Sequence, residues 1–417
     1  MKRFLVFSVL VVANWLNGSY WQSDNIQDKA VIIVPVADAT TRPLQPLDEQ
    51  KSALELYNLL PIAPGAQLRS CYRAHQFLFN ETVTIKRIQE LEVECEVDNF
   101  FYIDEDGKVR NSFWTLKRNI MPLSLLVKEQ KIAAVPAPYC AQNNTICSHA
   151  GLLALAWPWY DPVTQQTYSA GTRFVRTPEK DTSSRYAVAI LDYATLTVKI
   201  GYVPKKYSII EFAKTKEQNR KKFVSLLKQW SANLAGIFAY VWGGCSFIKS
   251  YKNNNFSLIN DIRFGRLVDF WQRPDDNERP FTGCECSALI LRVAQLCGMP
   301  YFYRNTATIV KYLKPLAQDE RIEEGDIIWY KGHVQIVSDL RRNKLIESVG
   351  YQSGYGKTHE IELAKVFEGI KTYRDLIQVH FTKKTIKRID KNRKPMRTIR
   401  ELKILKLSSI WHIGKNF

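Results

Sequence analysis

The chain has 417 residues, 46% of them hydrophobic and 12% aromatic, and a formal net charge of +18. This is enough for about two to four domains with proper cores, which excludes a largely unstructured chain. The charge is uneven: Phe381 to Phe417 holds twelve Lys/Arg against two Asp/Glu, so +10 sits there and the first 380 residues are only mildly basic. No nucleic-acid motif accompanies the excess, so no nucleic-acid partner is expected.

The chain begins MKRFLVFSVLVVANWLNGSYW. Two cations precede an apolar run, Phe4 to Ala13, and small and polar residues follow, the pattern of a secretory signal over residues 1–19. The run is short for a bilayer span, and no later stretch holds about 18 uninterrupted apolar residues. An exported, soluble protein is expected, periplasmic or associated with the cell wall. Export permits disulfides, and Cys140–Cys147 and Cys71–Cys95 are candidate pairs; the plainer reading keeps all eight Cys reduced. No Cys spacing resembles a zinc site, and neither metal nor cofactor is implied.

Residues 20–63 read as a Pro-containing linker followed by a bracing helix around LELYNLL. Residues 64–125 are β-rich, with alternation in HQFLFNETVTIKRI, a turn at Glu105-Asp106-Gly107 and a closing SFWTLKRNI. Residues 126–149 connect. Residues 150–208 repeat the β pattern in GLLALAWPWYD, QTYSAGTRFVR, RYAVAILD and TVKIGYVPKKYSI. Both stretches resemble bacterial SH3-like barrels. They would brace the rest of the chain, bind substrate or narrow its cleft.

A helix is predicted over 209–234 and opens the next unit. Within it, FTGCECSALILRVAQLCGMP runs from a glycine-bounded turn into an apolar helix pattern that Gly298-Met299-Pro300 stops. Cys286 therefore starts a helix, where the dipole and free N–H groups favour a thiolate. Cys297, about three turns further on, reads as core. A nucleophilic cysteine needs a base, and His333 in GDIIWYKGHVQIV begins a later strand.

YVWGG, CECSAL, YRNTATI, EGDIIWY and HVQIV occur in the order seen in NlpC-type, papain-like cysteine peptidases of bacteria, over roughly residues 230 to 380. The resemblance implies an α+β fold: an NlpC-type papain-like domain over 209–380, preceded by two small all-β SH3-like barrels. It implies hydrolysis of the γ-D-glutamyl–diamino acid amide in wall stem peptides. The partners would be peptidoglycan or muropeptides, met by a monomer. Cys286 is then the nucleophile and His333 the base. The third polar residue is Glu347, with His359 and Gln335 as rivals. Family members that require a free N-terminal L-Ala carry Asp-Cys-Ser. Here Glu285-Cys286-Ser287 keeps the carboxylate, so Glu285 and Ser287, with Tyr240 nearby, would hold that ammonium.

The Cys286 backbone N–H is the expected oxyanion donor. Residues 381–417 read either as a solvated basic tail or as an anchor to an anionic wall or membrane surface. Two other classes stay open: an amidase or acyltransferase of the same fold, and a non-catalytic wall-binding protein.

Overall fold

The structure, a computed structural model, describes residues 27–44, 56–57, 60, 72–137, 151–210, 215–232, 238–248 and 282–411. The expected signal, Cys140 and Cys147, Cys71 of the other candidate pair and most of the bracing helix lie outside these residues, while Cys95 is a buried free thiol. No helix among the described residues is long and apolar enough to cross a membrane.

The first unit is a seven-stranded antiparallel sheet. Its strands are β1 (Lys29–Ile32), β2 (Val36–Thr40), β3 (Arg73–Leu78), β4 (Thr82–Gln89), β5 (Glu92–Glu96), β8 (Ser112–Leu116) and β9 (Ile120–Pro122), with the small hairpin β6 (Tyr102–Ile103) and β7 (Val109–Arg110) inserted. The spatial order is β3-β2-β8-β5-β4-β1-β9. Residues assigned to a linker thus form β1 and β2. The sheet is open, with β3 and β9 at its edges, so the expected closed barrel is not found among the described residues. β3 lies against the C-terminal unit instead: Gln76 Oε1 accepts from the Cys245 amide at 3.1 Å and the Ser246 hydroxyl at 2.7 Å.

The second unit carries β10 (Leu152–Leu155), β13 (Arg173–Arg176), β14 (Arg185–Asp192), β15 (Thr197–Pro204) and β16 (Ser208–Ile209) in the order β15-β14-β13-β10-β16. The hairpin β11 (Trp159–Asp161) and β12 (Gln166–Tyr168) pairs separately. No closed barrel is found here either among the described residues. α1 (Leu123–Lys128) connects the two units, and α2 (Lys216–Ser231) follows, started by a Thr215–Gln218 capping box. Trp230 of α2 donates its indole N–H to Ala156 O at 3.0 Å. One buried cluster runs from Ala30 and Phe77 through Ala154 and Trp230 to Leu289 and Val334. The three units therefore share a core.

The C-terminal unit packs α3 (Cys286–Leu296) against an antiparallel sheet of β17 (Ile327–Tyr330), β18 (His333–Asp339), β19 (Lys344–Val349), β20 (Lys357–Glu362) and β23 (Leu402–Leu405), in the order β20-β19-β18-β17-β23. All eleven residues of α3 are buried, as the apolar run demands. Gly298 ends the helix at φ +70°, a left-handed conformation that costs glycine little. α4 (Thr306–Tyr312) is capped by Asn305 and α5 (Tyr373–Thr382) by Thr372.

The segment read as a basic tail belongs to this unit. β21 (Ile386–Ile389) and β22 (Pro395–Ile399) form a hairpin, and β23 pairs with β17 along its whole length. Its cations are partly internal: Arg388 is buried, and Lys406 Nζ meets Asp326 Oδ2 at 2.9 Å. The apolar residues between the cations, such as Ile386, Ile399, Leu402 and Ile404, fill a core shared with Tyr330 and Leu376. Composition had hidden that alternation.

Candidate active site

Cys286 opens α3, where helix N–H groups have no intrahelical partner. Glu285, the N-cap, makes no side-chain capping bond. The thiol lies beside β18: the Val334 and Ser287 N–H groups favour its anion. Burial is the larger effect and, with the Glu285 charge, pushes the thiol up to about 12. Burial thus favours the thiol form. The thiolate expected from the helix dipole is outweighed by desolvation.

His333 starts β18 opposite Tyr330, across a two-residue turn from β17. Its Nε2 lies 3.0 Å from Glu347 Oε2. Burial lowers its pKa, the Glu347 bond raises it and the Arg388 charge lowers it again, with a net shift below the ordinary imidazole value.

Glu347 is fully buried on β19 and is the hub of the site. The two rivals for its role are both bonded to it. Gln335 Nε2 donates to Oε2 at 2.7 Å, and His359 Nε2 sits 3.2 Å from Oε1. Arg388 completes the ring, with Nη1 on Oε2 at 2.9 Å and Nη2 on Oε1 at 2.8 Å, while Nη1 also reaches the Tyr330 hydroxyl at 2.8 Å. Burial alone would neutralise the Glu347 carboxyl. The Arg388 charge and the bonds from His333, His359 and Arg388 hold it well below the usual carboxylate range.

The protonation pattern follows. An ionised carboxylate only accepts, so His333 Nε2 carries the proton and Nδ1 keeps its lone pair. A neutral imidazole of that tautomer can take a proton from a neighbouring thiol.

A second polar cluster is built on Glu285 and Ser287, the chain neighbours of Cys286. Glu285 forms an ion pair with Arg304, accepts from the Ser287 hydroxyl at 2.7 Å and accepts from the Gly243 amide at 3.1 Å. Arg304 O lies at the same 2.7 Å from the Ser287 oxygen, so the two acceptors share its single proton. Arg304 continues to Gly243 O at 2.9 Å and to His75 Nδ1 at 3.0 Å, so the cluster reaches β3 of the first sheet. Gly243, at φ +68°, lies against that strand, and a Cβ there would fall 2.1 Å from Arg73 O. The carboxylate offered by the sequence to a substrate ammonium thus already has a buried cation. Tyr240 is buried at the other end of the same segment, its ring against Gly350 just past β19.

The sequence offered Cys286, His333 and Glu347 as candidates. It did not offer Arg388, Arg304 or His75, although Arg304 lies within YRNTATI and His75 within the strand HQFLF. Among the described residues no group of three or more His, Cys, Asp or Glu side chains is arranged to hold a metal ion.

No family model and no curated protein matches this chain. Solved structures do. An NlpC/P60 family protein from Bacillus cereus ATCC 10987 aligns with a TM-score of 0.47 and 12% identity, covering 80% of this chain and 94% of that one. NlpC1 from Trichomonas vaginalis aligns at 0.29 and 13% identity, over 83% of this chain and 92% of that one. NlpC2 from the same organism aligns at 0.28 and 12% identity, over 82% and 94%. The chain is an α+β protein similar in trace to these proteins.

Proposed function

We propose that the chain is a cysteine endopeptidase of bacterial cell-wall stem peptides, cutting the amide between γ-D-glutamyl and a diamino acid. One observation carries the reading: a buried cysteine at a helix start lies beside a strand whose histidine is oriented by an ionised carboxylate. The substrate class comes from the motif order YVWGG, CECSAL, YRNTATI, EGDIIWY and HVQIV. On this reading the protein is exported and acts as a monomer on peptidoglycan or muropeptides.

His333 Nδ1 takes the Cys286 proton as sulfur attacks the γ-glutamyl carbonyl. The oxyanion forms near the Cys286 N–H. The C–N bond breaks as the imidazolium returns its proton to the leaving amine, and a thioester remains. Water, deprotonated by His333, attacks the thioester, and the thiol is regenerated. Glu347 stabilises the imidazolium at both proton transfers. Because burial favours the thiol, transfer accompanies attack.

The test is mass spectrometry of L-Ala-γ-D-Glu-diaminopimelate incubated with the full chain and with Cys286→Ala. Release of diaminopimelate by the wild type alone supports the endopeptidase. No release by reduced wild type overturns it. Turnover of acyl donors would then favour the transferase, and wall binding without turnover a binding protein.

A further inference from the structure

Two thiols stand next to the site without a part in the proposed chemistry. Cys245 follows YVWGG, and Cys284 lies two residues before Cys286. They face each other across an isolated antiparallel bridge. The flanking bonds identify its type: the Ser246 N–H donates to Gly283 O at 3.2 Å and the Glu285 N–H to Gly244 O at 3.1 Å. Both bonds lie one step outside the cysteines, so Cys245 and Cys284 form a non-hydrogen-bonded pair. Such pairs bring Cα atoms to about 4.5 Å with side chains on one face. A disulfide accepts Cα separations of about 4.4–6.8 Å.

Burial pushes the Cys245 thiol up, and the Arg292 guanidinium beside it, a smaller effect, favours its thiolate. Cys245 Sγ makes a 3.9 Å contact with Ala288 O, and Cys284 Sγ makes one of the same length with Ser246 O. Both are free thiols in this structure and fully buried. Burial and then the neighbouring Cys245 push the Cys284 thiol up. Cys286 also lies only two residues from Cys284 in the chain. The bridge register gives Cys284 another partner.

We propose that Cys245 and Cys284 form a disulfide that staples the YVWGG segment to the turn before Cys286. The oxidant is a low-molecular-weight disulfide such as glutathione disulfide. One cysteine thiolate attacks it and releases a glutathione thiolate. The second cysteine thiolate then displaces the other glutathione. The glutathione S–S bond breaks, one protein S–S bond forms, and the two cysteine protons end on two glutathione thiols, which carry away the electrons. Because both sulfurs are enclosed in the folded protein, exchange occurs while the segment folds. The bond would close a loop of 38 intervening residues, 246 to 283, and fix the Gly243–Glu285 contact. This proposal does not depend on the peptidase reading.

The experiment refolds the full chain in glutathione redox buffer, quenches with acid, alkylates, digests without reduction and maps peptides by mass spectrometry. The expected result is a Cys245–Cys284 linked peptide that disappears on reduction, with Cys286 alkylated. In parallel, reduction should lower the wild-type thermal midpoint by about 2–5 °C more than that of the Cys245→Ser, Cys284→Ser double variant. Recovery of both residues as alkylated free thiols overturns the proposal. So does either cysteine joined to another partner. If the double variant does not fold, the wild-type peptide map decides alone.

Discussion

Two carboxylate–guanidinium pairs flank Cys286, and they are built differently. Behind His333, Glu347 and Arg388 form a sealed pair within the C-terminal unit, both buried, with the carboxylate also taking Gln335, His359 and His333. Behind Cys286, Glu285 and Arg304 form a pair whose carboxylate is partly open to solvent and whose guanidinium is held by His75 from the first sheet. The His333 side is self-contained, while the Cys286 side depends on the N-terminal unit. The difference teaches that β3 is part of the site's scaffold.

The sealed pair should show the largest effect. Arg388→Met leaves Glu347 charged without its cation, and a chemical-denaturation midpoint should report a loss of about 3–5 kcal/mol. Its pH dependence has a definite sign. Glu347 is depressed in the folded state, so its contribution is present above its unfolded value of about 4.5 and lost as pH falls through the lower folded value. Removing Arg388 raises that folded value, so acid unfolding of the variant should begin at higher pH. An unchanged acid transition would break the comparison.

Glu347→Gln tests the same side through chemistry. Peptide cleavage should fall by about 10²–10⁴-fold in kcat. The acid limb of kcat/KM reports His333, already below the ordinary imidazole range. Losing the carboxylate should move that limb further to acid, whereas losing Arg388 should move it toward neutral. Shifts of the same sign in both variants would contradict the assignment.

His75→Phe tests the dependence on the first sheet. It leaves the Arg304 Nε–H without its acceptor, at a cost of about 1–3 kcal/mol. Cleavage should weaken with the residues of the C-terminal unit unchanged. Equal kcat and KM in a stable variant would reduce β3 to a passive brace.

Glu285→Gln should have the smallest effect and sharpens the role of that carboxylate. If Arg304 is its partner in the working enzyme, free and N-acetylated peptides should lose activity alike. If it holds an ammonium, KM should rise for the free peptide alone.

What was legible followed from locality. Cys286 and His333 sit in short runs whose own pattern declares a helix start and a strand start, and Glu347 falls on the next strand. All three could be placed without long-range pairing. Arg388 needed knowledge that residues 386–405 return to the sheet, through β23 on β17, and its basic neighbours masked the apolar alternation. His75 could not be linked to Arg304 because they lie 229 positions apart. The open sheets were not legible because closure depends on which strand meets which edge. β1 and β2 came from residues whose prolines and polar composition suggested a linker. The helix end at Cys286 was visible in sequence, but the burial that opposes its thiolate was not.

On this reading an ionised Glu347 fixes His333 as a neutral imidazole with its proton on Nε2. The direct measurement is ¹⁵N NMR of the histidine rings in the full-length protein, with His333 assigned by substitution and followed through a pH titration. The expected result is a neutral Nε2–H tautomer at neutral pH, titrating below the ordinary imidazole value. An imidazolium at neutral pH, or a proton on Nδ1, would contradict the account.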